Sequence, residues 1–204
     1  MGLVRRTAQA PAAEEQRAAR RDSAGLQQQL RAGDAEQRRR AALDLEGDAA
    51  AVPALLAALQ EERDVPAREA LLTTLAGHDV AEVGLALSGE LRSEDATRRN
   101  AAVNALQAMP LAVESLVGQG ILQDEDADVR VLAVMVLSAV AHPGVPEWLR
   151  PVVAADPEPN VVAAAVDVAV TIGSGIAHEL STVATGRFPQ NPYLHFLARQ
   201  AART

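Results

Sequence analysis

Cysteine is absent from the 204 residues, which excludes disulfides, thiolate zinc sites and cysteine nucleophiles. Lysine is absent as well, so all 19 basic residues are arginine. Arginine codons can be GC-rich and lysine codons cannot, so this reads as the composition of a GC-rich coding sequence rather than a functional signal. Aromatic residues are scarce: one Trp, one Tyr and two Phe in a chain that is 49% hydrophobic. Its apolar content is Ala, Leu and Val, with Ala about a fifth of all residues. Side chains of that size suit helices packed close together and suit a β-sandwich core poorly. No apolar run approaches the ~20 residues of a membrane span, so no membrane role is expected.

Acids outnumber bases by 27 to 19, a net charge of −8. A nucleic-acid binder gains affinity by neutralising phosphates, so this balance predicts no nucleic-acid partner. Met1–Arg21 is locally basic, with five Arg against two Glu. It has no apolar stretch of the secretory kind, and a cytoplasmic location is expected. Residues 1–22 read as a tail or a short capping helix, followed by a repeat domain over 23–204.

Self-comparison reveals a repeat of about 31 residues. An acid is followed four positions later by Arg, then by a small apolar residue, then by Leu. The copies start at Asp34, Asp64, Asp95 and Asp126, with Arg38, Arg68, Arg99 and Arg130 at the basic position. A fifth and a sixth, starting at Glu158 and Asn191, put Val162 and His195 there. Successive basic positions are 30, 31, 31, 32 and 33 residues apart. Each copy reads as two helices. In the fourth, Pro110 opens an apolar segment through Leu116 and Val117. An acidic turn follows, then a second helix with Val129, Ala133, Val136 and Leu137 on its inner stripe. The opening acid suits a helix start, where it accepts orphan backbone N–H groups. No segment alternates with period two, so no strand is predicted.

This pattern resembles the HEAT repeat, in the short bacterial form found in phycobilin lyase subunits. The likeness is carried by DEDADVRVLAVMVL (Asp124–Leu137) and its cognates GDAEQRRRAALDL (Gly33–Leu45), ERDVPAREALLTTL (Glu62–Leu75) and SEDATRRNAAVNAL (Ser93–Leu106). It covers about Ser23 to Arg203. It implies an all-α fold, a right-handed α-solenoid of about six helix pairs, with an Asp–Arg ladder between neighbouring repeats. Arg68, Arg99 and Arg130 are expected to reach a carboxylate of their own or an adjacent turn, in mostly exposed pairs. Val162 and His195 should end that ladder after the fourth copy. Members of the family mostly bind other proteins. The alternative it suggests is a subunit of an enzyme complex of the lyase kind.

A search for chemistry finds little. Asp124, Asp126 and Asp128 alternate like the start of a calcium loop, but Val129 and Met135 stand where that loop needs Gly and Glu. His78, His142, His178 and His195 have no metal-ligand spacing. There is no GxSxG, no GxxxxGK[ST] and no GxGxxG. No catalytic residue, metal or cofactor is predicted, and the chain is read as a non-enzymatic adaptor for another protein.

The candidate site is a surface. On each second helix, the positions one, five and eight after the basic residue share one stripe, clear of the core positions three and seven. Over the second to fourth copies that stripe holds Glu69, Thr73, Asn100, Asn104, Gln107, Val131 and Met135. Asn is a poor helix former, and Asn100 and Asn104 sit mid-helix. An adaptable Met beside amides and Val is what a protein-binding groove presents. The resemblance puts second helices on the concave side, and these seven residues are the predicted partner-binding strip.

Overall fold

The computed structural model describes residues 22–173 and 175–203, so the expected N-terminal tail falls outside the described residues apart from Asp22. Twelve α-helices occupy the described residues, with no strand among them. They come in six pairs. The first is α1 (Ser23–Ala32) with α2 (Ala35–Asp44), and the second is α3 (Val52–Glu61) with α4 (Val65–Ala76). The third is α5 (Ala81–Glu90) with α6 (Ala96–Gln107), and the fourth is α7 (Pro110–Gly118) with α8 (Ala127–Val136). The last two are α9 (Val145–Ala155) with α10 (Pro159–Thr171), and α11 (Ala177–Arg187) with α12 (Pro192–Ala201). The chain divides into two compact units, with the boundary between His78 and Asp79.

The repeated acid is the residue that opens each second helix. Asp34, Asp64, Asp95, Asp126 and Asn191 are the N-caps of α2, α4, α6, α8 and α12, and each side chain accepts a backbone N–H of the first turn. Glu158 caps α10 by position only, because its longer side chain makes no such bond. Pro66, Pro159 and Pro192 sit in the first turn, where a missing N–H costs nothing.

One cap crosses between pairs. Asp79 ends the connection after α4 with φ +41°, and its carboxylate accepts the N–H groups of Leu111 (3.1 Å) and Ala112 (2.9 Å) in the first turn of α7. Nearby, α5 and α7 pack so closely that a Cβ on Gly84 would lie 2.8 Å from the Ala112 Cβ. Here glycine is required by the close approach of two helices rather than by a turn.

The core follows the predicted rows, with an informative exception. At three and seven after the basic position, Ala41, Leu45, Leu71, Leu75, Ala102, Leu106, Ala133, Leu137, Ala165 and Ala169 are all buried. In the sixth copy Ala198 is half-buried and Ala202 exposed. There α12 buries Leu194, Leu197 and Ala201 instead, a stripe displaced by one residue. The first copy shows the converse: Ala41 and Leu45 are buried, whereas Gln37, Arg40 and Asp44, the equivalents of the α12 stripe, are exposed. Inner copies bury members of both stripes, such as Val129 and Val136 beside Ala133 and Leu137. Within the unit that begins at Asp79, α8 and α10 each have a second helix packed on both sides, and a helix so placed needs two apolar stripes.

The expected reach to the carboxylate of an adjacent turn is met by Arg130 with Asp156 and by Arg38 with Glu62. The ladder's acids are not the N-caps but Glu62, Asp124 and Asp156, each two residues earlier. These carboxylates accept the N–H of Asp64 (2.9 Å), Asp126 (3.0 Å) and Glu158 (2.9 Å), pinning the turn. Arg38 grips Glu62 through Nε (2.6 Å) and Nη2 (2.8 Å) and also donates to the Gly33 carbonyl. Arg130 grips Asp156 at 2.7 and 3.1 Å and donates to the carbonyls of Asp124 and Glu125. Arg68 donates to the Leu59 carbonyl, and Arg99 to those of Ser93 and Glu94. Asp124 pairs with Arg92 and not with Arg99. The exposed reading of Arg130 is corrected too: it is 8% exposed and Asp156 is equally buried. Beyond the fourth copy, Arg187 of α11 donates to the Val153 and Asp156 carbonyls from outside the repeat position.

Candidate functional site

Within the unit that begins at Asp79, the second helices α6, α8, α10 and α12 lie in sequence, each packed on the next where α6 meets α8, α8 meets α10 and α10 meets α12. A hollow of about 670 Å³ runs over them. From α6 it takes Asn100, Val103, Asn104 and Gln107; from α8 and the turn after it, Met135 and Ser138. The far wall is Asn160, Ala163, Ala164, Asp167, Val168 and Thr171 of α10, with Tyr193 of α12.

Four of the seven sequence-predicted residues therefore meet in one place: Asn100, Asn104, Gln107 and Met135. The fifth of this unit, Val131, is half-buried on α8 and is not part of the hollow's lining. Glu69 and Thr73 stand exposed on α4 in the other unit, where the Thr73 hydroxyl donates to the Glu69 carbonyl. The offsets one, five and eight leave out Val103, Asn160, Ala164, Val168, Thr171 and Tyr193 of the lining. Asn160 and Ala164 lie outside the offsets used, at two before and two after Val162. Tyr193 lies two residues before His195, the offset of Asn160 in the preceding copy, and is likewise outside the offsets used.

Local sequence sets up each group. Asn100 and Asn104 are one helical turn apart on α6, both exposed, and neither side chain hydrogen-bonds within the described residues. Asn160 is likewise exposed and unengaged. Gln107 is committed: its amide N–H₂ donates to the Met135 carbonyl and the Ser138 hydroxyl, both at 3.2 Å. Ser138 in turn donates to the Met135 carbonyl at 2.8 Å. This triangle fixes the end of α8 and leaves Met135 44% exposed in the lining between α6 and α10. Tyr193 is 48% exposed, and its ring stacks with Phe196 at 6.1 Å between centroids. Partial burial and the nearby Asp167 charge both push the Tyr193 phenol above its ordinary range.

Chemically the hollow offers amide donors and acceptors, a thioether, a phenol and one carboxylate. The Ser138 proton is directed at the Met135 carbonyl, and no histidine is among the lining residues. The four histidines lie elsewhere. His142 stacks on Trp148 at 4.6 Å and accepts the Gly144 N–H, and His195 contacts the Pro189 carbonyl. Among the described residues no group of three or more acids and histidines is placed to hold a metal ion. No single described helix is long and apolar enough to cross a membrane.

No protein-family model matches the chain, and no curated protein does. Among solved structures it is similar to an engineered protein determined by crystallography, at 19% identity and a TM-score of 0.46, over 89% of this chain and 95% of that one.

Proposed function

We propose that this chain is a non-enzymatic adaptor of HEAT-like helix pairs stacked as an α-solenoid, holding a segment of another protein on the second-helix face. The observation that carries the reading is the gathering of Asn100, Asn104 and Met135 over one hollow. The Asn100 and Asn104 amides are unengaged within the described residues, and the exposed Met135 side chain lies where a helix surface is normally charged. The stacking half of the proposal is supported by the stripe logic above. In the unit that begins at Asp79, α8 and α10 lie between neighbouring second helices and bury members of both stripes, as stacked units require. The ladder acids add to it, since Glu62 and Asp156 each tie one copy's basic residue to the next copy's turn.

Interface centres carry most of the binding energy, and Met135 and Asn104 are central to the hollow. Truncation of both, Asn104→Ala with Met135→Ala, is expected to weaken partner binding at least tenfold while leaving the helical signal unchanged. Normal binding by the double variant, with loss on changing Leu111 of α7, would move the site to the first-helix face.

A further inference from the structure

The two ends of the hollow differ, and the difference carries ligand chemistry. On α6 the groups are neutral amides. Towards α12 they are Asp167 and Tyr193. Asp167 is exposed, lies beyond the first turn of α10, and forms no hydrogen bond or ion pair within the described residues. It therefore neither caps the helix nor answers an arginine. An unengaged carboxylate beside an exposed aromatic face suits a cation, which gains both an ionic partner and the ring quadrupole. The surroundings have the same sign. Residues 79–204 hold 8 Arg against 15 Asp and Glu, a net of −7 out of the chain's −8. Arg92, Arg98, Arg130 and Arg150 of this unit are each paired with an acid. Arg199 and Arg203 line a separate hollow with Phe196, which bounds the cation's place on the Asp167 side.

The amides add a second requirement. A side-chain amide offers N–H donors and a C=O acceptor on one group, which complements the C=O and N–H of a peptide unit. Asn100, Asn104 and Asn160 present three such groups along the wall. Three helix-to-helix steps of about 8–10 Å cover roughly 24–30 Å, the reach of about seven to nine extended residues.

We infer that the hollow takes an extended peptide bearing an arginine or lysine, its backbone on the Asn100, Asn104 and Asn160 amides and its cation between Asp167 and Tyr193. This rests on the protein-binding reading and narrows its partner to a basic, unstructured segment.

The test is a fluorescence-anisotropy titration of the full chain with a labelled nonapeptide of alternating Ser and Ala around one central Arg. A second peptide has Glu at the centre, and a third has the Arg with N-methylated flanking amides. The Arg peptide should bind about tenfold more tightly than the Glu peptide, more so at low salt. Asp167→Asn should cost the Arg peptide about fivefold and spare the Glu peptide. Backbone methylation should cost about tenfold, as lost amide pairing predicts. Equal binding of Arg and Glu peptides, lost together in Asn100→Ala/Asn104→Ala, overturns the cationic preference and leaves the hollow as a peptide site. Binding of neither at millimolar protein overturns the inference, and the Asn104→Ala/Met135→Ala partner assay then judges the adaptor reading separately.

Discussion

Arg130 and Asp156 form a buried bidentate pair, at 2.7 and 3.1 Å, that joins the start of α8 to the turn before α10. Two further bonds from Arg130 to the carbonyls of Asp124 and Glu125 use up its remaining donor group. Hydrogen bonding to Asp156 holds the guanidinium pKa above its already high ordinary value. Removing one partner leaves the other charged and buried. Arg130→Ala is therefore expected to cost about 3–5 kcal/mol in urea unfolding. The Arg130→Leu/Asp156→Leu double variant should recover much of that loss, because a packed apolar pair removes both charges. A cost below about 1 kcal/mol for Arg130→Ala would mean solvent reaches the pair.

Glu62 supplies the pH dependence of the other unit. The hydrogen bonds from Arg38 outweigh burial and hold its carboxyl below the ordinary glutamate range, with the N–H groups of Asp64 and Arg63 assisting. A depressed folded-state carboxyl contributes stability above the unfolded-state value and loses it as pH falls through the folded-state value. Stability should thus decline as pH drops below about 4.5, the unperturbed value. In Glu62→Gln that contribution should be missing at neutral pH and the acid limb correspondingly shallower. Identical acid limbs in the two proteins would remove Glu62 from the account.

Asp79 caps a helix of the following pair while holding a left-handed backbone. Asp79→Ala loses both acceptors and keeps the strained φ, so a loss of about 1–2 kcal/mol is expected, measured by chemical denaturation. Asp79→Asn retains one acceptor and tolerates the backbone, so it should fall between.

Gly84 faces Ala112 with no space for a methyl group. Gly84→Ala should cost about 1–3 kcal/mol by forcing α5 and α7 apart. Adding Ala112→Gly removes the opposing methyl, and the double variant should regain part of the loss. Failure of that rescue would place the strain elsewhere.

Much of this was readable from the sequence. The copies starting at Asp34, Asp64, Asp95 and Asp126 located second helices because an N-cap acid is a local signal that acts within four residues. Rows three and seven located the core for five copies, since helical period alone sets them. Legibility failed where a contact spans two copies. Glu62 and Asp156 lie in turns, and nothing local distinguishes them from Glu61 or Glu158 as the arginine's partner. The displaced stripe of α12 was also hidden. It is set by which helices pack on α12, with α10 and α11 on it among the described residues, and no residue of α12 announces it. Tyr193, two residues before His195 and outside the offsets used, completes the hollow begun by Asn100 and Asn104 because α12 packs on α10, a contact no local signal announces.

The central claim is that partner protein lies over Asn104 and Met135. Site-specific photo-crosslinking tests it most directly, with a benzophenone amino acid placed at Met135, or at exposed Leu111 on α7, in the full chain. The account predicts a crosslinked partner from position 135 that disappears on Asn104→Ala, and none from position 111. Crosslinking from 111 alone, or from 135 undiminished by Asn104→Ala, would contradict it.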